Sequence, residues 1–145
     1  MTATRVGYTG GRTEHPTYRQ VCGHRTGHAE AVEVTFDRAQ TSYEELLERF
    51  WAAHDPTTKN RQGPDLGSQY RSAIFFTSPE QEQQASASRD QQQASLEENG
   101  GRGLLKHRKR VVTEVTPAAT FWPAEDDHQR YLEKRGQASC NVALR

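Results

Sequence analysis

The sequence predicts one α+β domain over residues 1–145, with a mixed or antiparallel sheet, flanking helices and long loops. Three observations carry this. The length is that over which a single core typically forms, roughly 100–150 residues. Short apolar or alternating runs recur along the chain and are separated by two clear helix starts, at Thr41 and Ser78. Two stretches, 12–30 and 57–72, show neither a helical nor a strand period. Irregular segments beyond roughly 12–15 residues in a small domain are usually functional or disordered.

Taken in order, Arg5-Val6-Gly7-Tyr8 reads as the tail of a strand and Thr9-Gly10-Gly11 as the turn after it. Chains usually begin with a loose end, so a strand so near the start suggests that something is missing upstream. Residues 12–30 read as a loop carrying three histidines, Tyr18 and Cys22. In 31–36 the alternation places Val32, Val34 and Phe36 on one face of a strand. Thr41-Ser42-Tyr43-Glu44 matches a capping box, in which hydroxyl and carboxylate each satisfy the other residue's backbone amide. Tyr43, Leu46, Leu47, Phe50, Trp51 and His54 follow at helical spacing until Asp55-Pro56. Residues 73–76 form a short apolar strand, and Ser78-Pro79 opens a second helix that is almost wholly polar and ends at Asn99-Gly100-Gly101. Val111–Val115 is the last clear strand, before an aromatic loop and a short terminal helix in FWPAEDDHQRYLEKRG.

Composition narrows the function. The 19 basic and 19 acidic residues cancel, which argues against general electrostatic binding of nucleic acid or membrane surfaces. No apolar run approaches the roughly 18 residues of a membrane span, and the N-terminus lacks the pattern of a signal or transit peptide. Cys22 and Cys140 are too few for a disulfide framework, so a reducing, cytoplasmic setting is expected. The apolar fraction, 32%, stays below the roughly 45–50% usual for globular chains even when glycine is counted. The core is therefore expected to be thin, or to lie partly elsewhere.

Few constellations could carry chemistry. His24 and His28 stand four apart with Glu30 beyond, but Gly23 and Gly27 disfavour the helix that would bring the two rings together, and no third ligand has suitable spacing. Histidines hydrogen-bonded to backbone are the expected outcome. Residues 106–110 (KHRKR) are basic without interleaved aromatics, which reads as a solvated charge run. Glu30 is different. It lies where the long loop enters an apolar strand, and partial burial there raises a carboxyl's pKa because desolvation disfavours the charged form. Such a group can act as a general acid near neutral pH. Tyr18, Asp65 and Tyr70 lie in similar irregular, Gly-flanked segments.

In order and spacing, RVGYTGG, HPTYRQVC, GHRTGHAEAVEVTFD, SYEELLERFWAAHDPTT, NRQGPDLGSQYRSAIFF, VVTEV and FWPAEDDHQRYLEK resemble the A-class peptide methionine sulfoxide reductases. The resemblance runs from Arg5 to Cys140. It implies that family's ferredoxin-like core and an oxidoreductase that returns methionine-S-sulfoxide, in proteins or free, to methionine. It implies a cysteine thiolate attacking the sulfoxide sulfur, Glu30 as the acid that protonates the departing oxygen, Tyr18 and Tyr70 holding that oxygen, and Asp65 supporting them. Cys140 would resolve the resulting sulfenic acid as a disulfide, which thioredoxin reduces. Cys22 falls where many members carry a cysteine without a catalytic role. Oxidised-methionine proteins and thioredoxin are the implied partners of a monomer that needs no metal or cofactor.

The resemblance also implies a departure. Family members carry the nucleophile in a GCFWG segment, on a first strand and helix ahead of RVGYTGG, and residues 1–145 contain no such segment. The chain is accordingly expected to be N-terminally incomplete, with that strand and helix missing. It then belongs either to a longer active reductase or to a short form that acts as a binding or regulatory relic.

Overall fold

The computed structural model describes residues 3–23, 25–99, 109–125 and 143–144. Its architecture follows from which apolar runs need covering on both faces. The strand β1 (Ala3–Thr9) is antiparallel to β2 (Ala29–Thr35), with Gly7 opposite Ala31 and Tyr8 opposite Glu30. The continuous apolar run AIFF forms β5 (Ala73–Phe76), parallel to β6 (Glu114–Pro117). The two-residue strands β7 (Trp122–Pro123) and β8 (Ala143–Leu144) complete a six-stranded mixed sheet in the order β6-β5-β8-β2-β1-β7. Between β2 and β5 the chain forms a small hairpin of β3 (Arg61–Gln62) and β4 (Asp65–Leu66), then a 3₁₀ turn over Ser68–Tyr70.

The central strand β5 is buried on both faces, as an unbroken apolar run in a parallel setting should be. Its Ile74 joins Leu46, Leu47, Phe50 and Trp51 of the helix α2 (Tyr43–Ala53), together with Ala85 of α3 (Pro79–Asn99). Ala73 and Phe75 meet Ala29, Ala31 and Phe121 on the opposite face. Val34 and Phe36 pack against the α2 cluster, in keeping with their place on one face of the strand. The polar helix α3 buries Ala85 completely and docks through specific hydrogen bonds. Trp51 Nε1 donates to Ser88 Oγ at 2.6 Å, and the Val111 amide donates to Gln93 Oε1 at 2.8 Å.

Several local expectations shift. The cap of α2 is Ser42, whose hydroxyl accepts the Glu45 amide at 3.1 Å, while the Thr41 hydroxyl donates to the Glu45 carboxylate at 2.8 Å. The helix also stops one residue early, since His54 is extended. The strand expected over 111–115 runs over 114–117. The amides of Val111 and Val112 are taken by Gln93 and by the Pro56 carbonyl, so pairing with β5 starts only at Glu114. Gly100, Gly101 and the stretch after Glu125 in which a terminal helix is expected lie outside the described residues. In the opening motif, Gly7 is required by packing: a Cβ there would stand 2.3 Å from the Trp122 carbonyl oxygen. Gly10 is left-handed at φ +83°, against the Phe75 ring.

His54 closes a buried polar chain. Its Nδ1 lies 2.6 Å from the Phe50 carbonyl and must donate, which leaves Nε2 to accept from Ser72 Oγ at 2.7 Å; Ser72 in turn contacts Thr113 Oγ1 at 2.7 Å. Burial depresses the His54 pKa below its ordinary value. The unfolded chain therefore takes up a proton before the folded one does. Stability is complete above the unfolded pKa of about 6.5 and falls as pH drops through it towards the lower folded value. Urea midpoints measured between pH 7.5 and 5 should show this loss, and His54→Gln should remove that part of the pH dependence.

Candidate active site

The site is assembled at one end of the β1–β2 pair. Tyr8 and Glu30 are directly opposed across the antiparallel ladder, which puts both side chains on one face, with Cβ atoms roughly 4.5–5.5 Å apart. Tyr8 is 1% exposed, and Glu30 lies between buried and exposed. Tyr18 opens a short helix, α1 (Tyr18–Cys22), that the sequence reading missed. Five residues are too few to show a helical period, but T-x-x-Q at 17–20 was a usable signal. Thr17 and Gln20 form a complete capping box, with the Thr17 hydroxyl accepting the Gln20 amide at 3.2 Å and Gln20 Oε1 accepting the Thr17 amide at 2.9 Å. Val21, 2% exposed, anchors the helix against Tyr8 and Ala124.

Around Glu30 the tyrosines are held as neutral phenols. The Tyr18 hydroxyl, hydrogen-bonded to the Cys22 thiol, has its pKa pushed up to about 12 by that bond and by the charge the thiol can carry, with burial, Tyr70 and Glu30 adding to it. Tyr70, at the end of the 3₁₀ turn, is raised first by burial and then by Glu30, Cys22 and Asp65. Tyr8 is raised well beyond the usual phenol range by burial, with the carboxylates of Glu125 and Glu30 adding to it. At neutral pH each of these hydroxyls keeps its proton. That of Tyr8 is donated to Glu125 Oε2 at 3.4 Å.

Among the described residues, none of the sequence-derived site residues sits in a loop. Glu30 is in β2, Tyr18 on α1, Asp65 on β4 and Tyr70 in the 3₁₀ turn. The expectation that burial singles them out needs correcting: Tyr18 is 41% exposed and Asp65 is exposed. Cys22, set aside in the sequence reading, lies within electrostatic reach of Tyr8, Tyr18 and Tyr70. It is the last residue of α1. Tyr8 and Glu125 were not anticipated. Cys140, His24 and residues 106–108 lie outside the described residues.

His28 is a structural residue. It is 2% exposed, and its Nδ1 accepts the Gly11 amide at 3.0 Å while Nε2 donates to the Thr13 carbonyl at 2.6 Å. Among the described residues no group of three His, Cys, Asp or Glu side chains could hold a metal ion, and no helix is long and apolar enough to cross a membrane.

In a mixed sheet flanked by helices, Tyr8, Tyr18 and Tyr70 each lie within electrostatic reach of Glu30 and Cys22, and comparison with known proteins places the chain among oxidoreductases that work at sulfur. The model of the family described as peptide methionine sulfoxide reductase matches residues 1–145, and this chain belongs to that family. It is 54% identical over 141 residues to a peptide methionine sulfoxide reductase MsrA of Geobacter metallireducens, covering 97% of this chain and 82% of the relative. It is 56% identical over 140 residues to the protein of that name in Geobacter sulfurreducens, covering 97% and 81%. Methionine sulfoxide reductase A of Corynebacterium diphtheriae has a solved structure similar to this one, with TM-score 0.82 and 40% identity, covering 95% of this chain and 66% of that one. Mxr1 from Saccharomyces cerevisiae in reduced form gives TM-score 0.79 at 29% identity, covering 98% and 77%.

Proposed function

We propose that this chain supplies the oxygen-binding and proton-donating part of a peptide-methionine (S)-S-oxide reductase, which repairs oxidised methionine. In this reading the protonated Glu30 carboxyl and the Tyr18 and Tyr70 hydroxyls donate to the sulfoxide oxygen, and Asp65 steadies Tyr70. An attacking thiolate forms a bond to the sulfoxide sulfur while Glu30 delivers its proton to the oxygen. The protonated oxygen then passes from the methionine sulfur to the attacking sulfur as the bond between the two sulfurs breaks, so methionine leaves as the thioether and the attacking sulfur becomes a sulfenic acid. The Cys140 thiol then displaces that oxygen as water and forms a disulfide, and a dithiol such as thioredoxin reduces it. No prosthetic group enters the cycle. Residues 1–145 carry cysteine only at 22 and 140, so the reading gives the attack to a sulfur in a GCFWG segment rather than to Cys22. A monomer acting in the reducing cytoplasm completes it.

The observation that carries the proposal is the grouping of two neutral phenols with Glu30 and a thiol in a single cluster. Electrostatic preorganisation of this kind favours an oxygen that gains negative charge or a proton during reaction. The test is a titration with the S-sulfoxide of N-acetylmethionine methylamide. Tyr70→Phe removes one donor to the bound oxygen and should weaken binding about tenfold, the value of a hydrogen bond of roughly 1–1.5 kcal/mol. Affinity unchanged in Tyr70→Phe removes Tyr70 from the oxygen site.

A further inference from the structure

Helix α1 has five residues, far below the length at which a helix is stable alone in water. The hydrogen bond from the Tyr18 hydroxyl to the Cys22 thiol lies within α1, so what fixes the helix, and with it Tyr18, must be found at the ends of α1 and in what it packs against. The residue is 41% exposed, so packing alone does not orient it. The capping box satisfies the Gln20 amide, and Val21 seats one side of the helix. The Tyr18 amide, at the first helical position, cannot be satisfied within the helix. It donates to Glu125 Oε1 at 3.0 Å, a contact spanning 107 residues of sequence. The second oxygen of the same carboxylate, Oε2, accepts from the hydroxyl of buried Tyr8 at 3.4 Å.

We infer that Glu125 is a positioning residue for the sulfoxide site. One carboxylate ties the first turn of α1 to Tyr8 on β1, and so sets the Tyr18 hydroxyl relative to Glu30. The charge suits both contacts. A carboxylate at a helix N-terminus is favoured by the dipole, and a charged acceptor strengthens both hydrogen bonds. Tyr8 faces Glu30 across the β1–β2 ladder, so the clamp is built on the strand pair that carries the acid. Glu125 follows directly on Ala124, whose own amide donates to the Val6 carbonyl at 2.9 Å and holds that segment to β1. The inference rests on the oxygen-site reading above.

Glu125→Ala removes both acceptors, while Glu125→Gln keeps an amide oxygen for the Tyr18 amide. In residues 1–145, Glu125→Ala should speed hydrogen exchange at the Tyr18 amide at least tenfold and leave the Leu47 amide in α2 unchanged. It should weaken binding of the S-sulfoxide of N-acetylmethionine methylamide about tenfold and reduce the preference for the S over the R epimer. Glu125→Gln should restore affinity and preference to within about threefold of wild type. Exchange at Tyr18 that does not change, or sulfoxide affinity in Glu125→Ala within twofold of wild type, overturns the inference. So does equal loss of protection at Tyr18 and Leu47, which would mark a general loss of stability. Failure of the oxygen-site reading shows differently: the wild-type chain does not bind the sulfoxide, yet the Tyr18 amide still responds to Glu125→Ala. That result leaves the clamp standing and removes its catalytic purpose.

Discussion

Replacing Cys22 with Ser should leave sulfoxide reduction by residues 1–145 unchanged, at the rate that dithiothreitol alone gives with a methyl sulfoxide. Cys22 lies close to the tyrosine hydroxyls. It nevertheless ends α1 rather than opening it. A nucleophile needs the opposite setting, a helix N-terminus or a neighbouring cation, to be ionised near neutral pH. Loss of an attacking group that works together with its acid removes on the order of a millionfold in rate in other covalent enzymes. Joining a GCFWG-bearing strand and helix ahead of residue 1 should therefore raise turnover from background by several orders of magnitude. Turnover by residues 1–145 alone that disappears in Cys22→Ser would move the attack to Cys22.

In that longer protein, Glu30→Gln should lower kcat by about 10²–10⁴, the usual contribution of a positioned general acid. Glutamine keeps the size of the side chain and a hydrogen-bond donor, so sulfoxide affinity should change much less than kcat. The two effects separate because a ground-state oxygen needs only a donor, whereas the departing oxygen needs a proton. A fall in affinity as large as the fall in kcat would make Glu30 a binding residue and leave the acid unassigned. Wild-type kcat in Glu30→Gln would remove it from the site.

Much of this fold is visible in the sequence because its strongest elements are locally consistent. β5 shows as an unbroken apolar run, and the buried face of α2 as Leu46, Leu47, Phe50 and Trp51 behind a hydroxyl cap. What escaped was short or long-range. α1 and the β3–β4 hairpin are too brief to show a period, and a two-residue strand such as β7 or β8 exists only through its partners. Of the site, Glu30, Tyr18, Tyr70 and Asp65 stand out by their setting in the sequence, and the family resemblance supplies their roles. The residues around them had no local signal. Tyr8 meets Glu30 through a register joining positions 22 apart, and Glu125 reaches α1 across most of the chain. His28 shows the converse case. Gly23 and Gly27 argue against a metal pair with His24 and for a ring hydrogen-bonded to backbone, and both ring nitrogens are committed to backbone.

The most direct test of the oxygen site is an NMR titration of residues 1–145, with ¹³C-labelled tyrosine, against three compounds: the S-sulfoxide of N-acetylmethionine methylamide, its R epimer and the thioether. The S-sulfoxide should shift the Tyr18 and Tyr70 ring resonances saturably, with the R epimer and the thioether at least tenfold weaker. Equal shifts from the thioether, or shifts that leave Tyr18 and Tyr70 untouched, would contradict the claim that Glu30 and these two hydroxyls hold the sulfoxide oxygen.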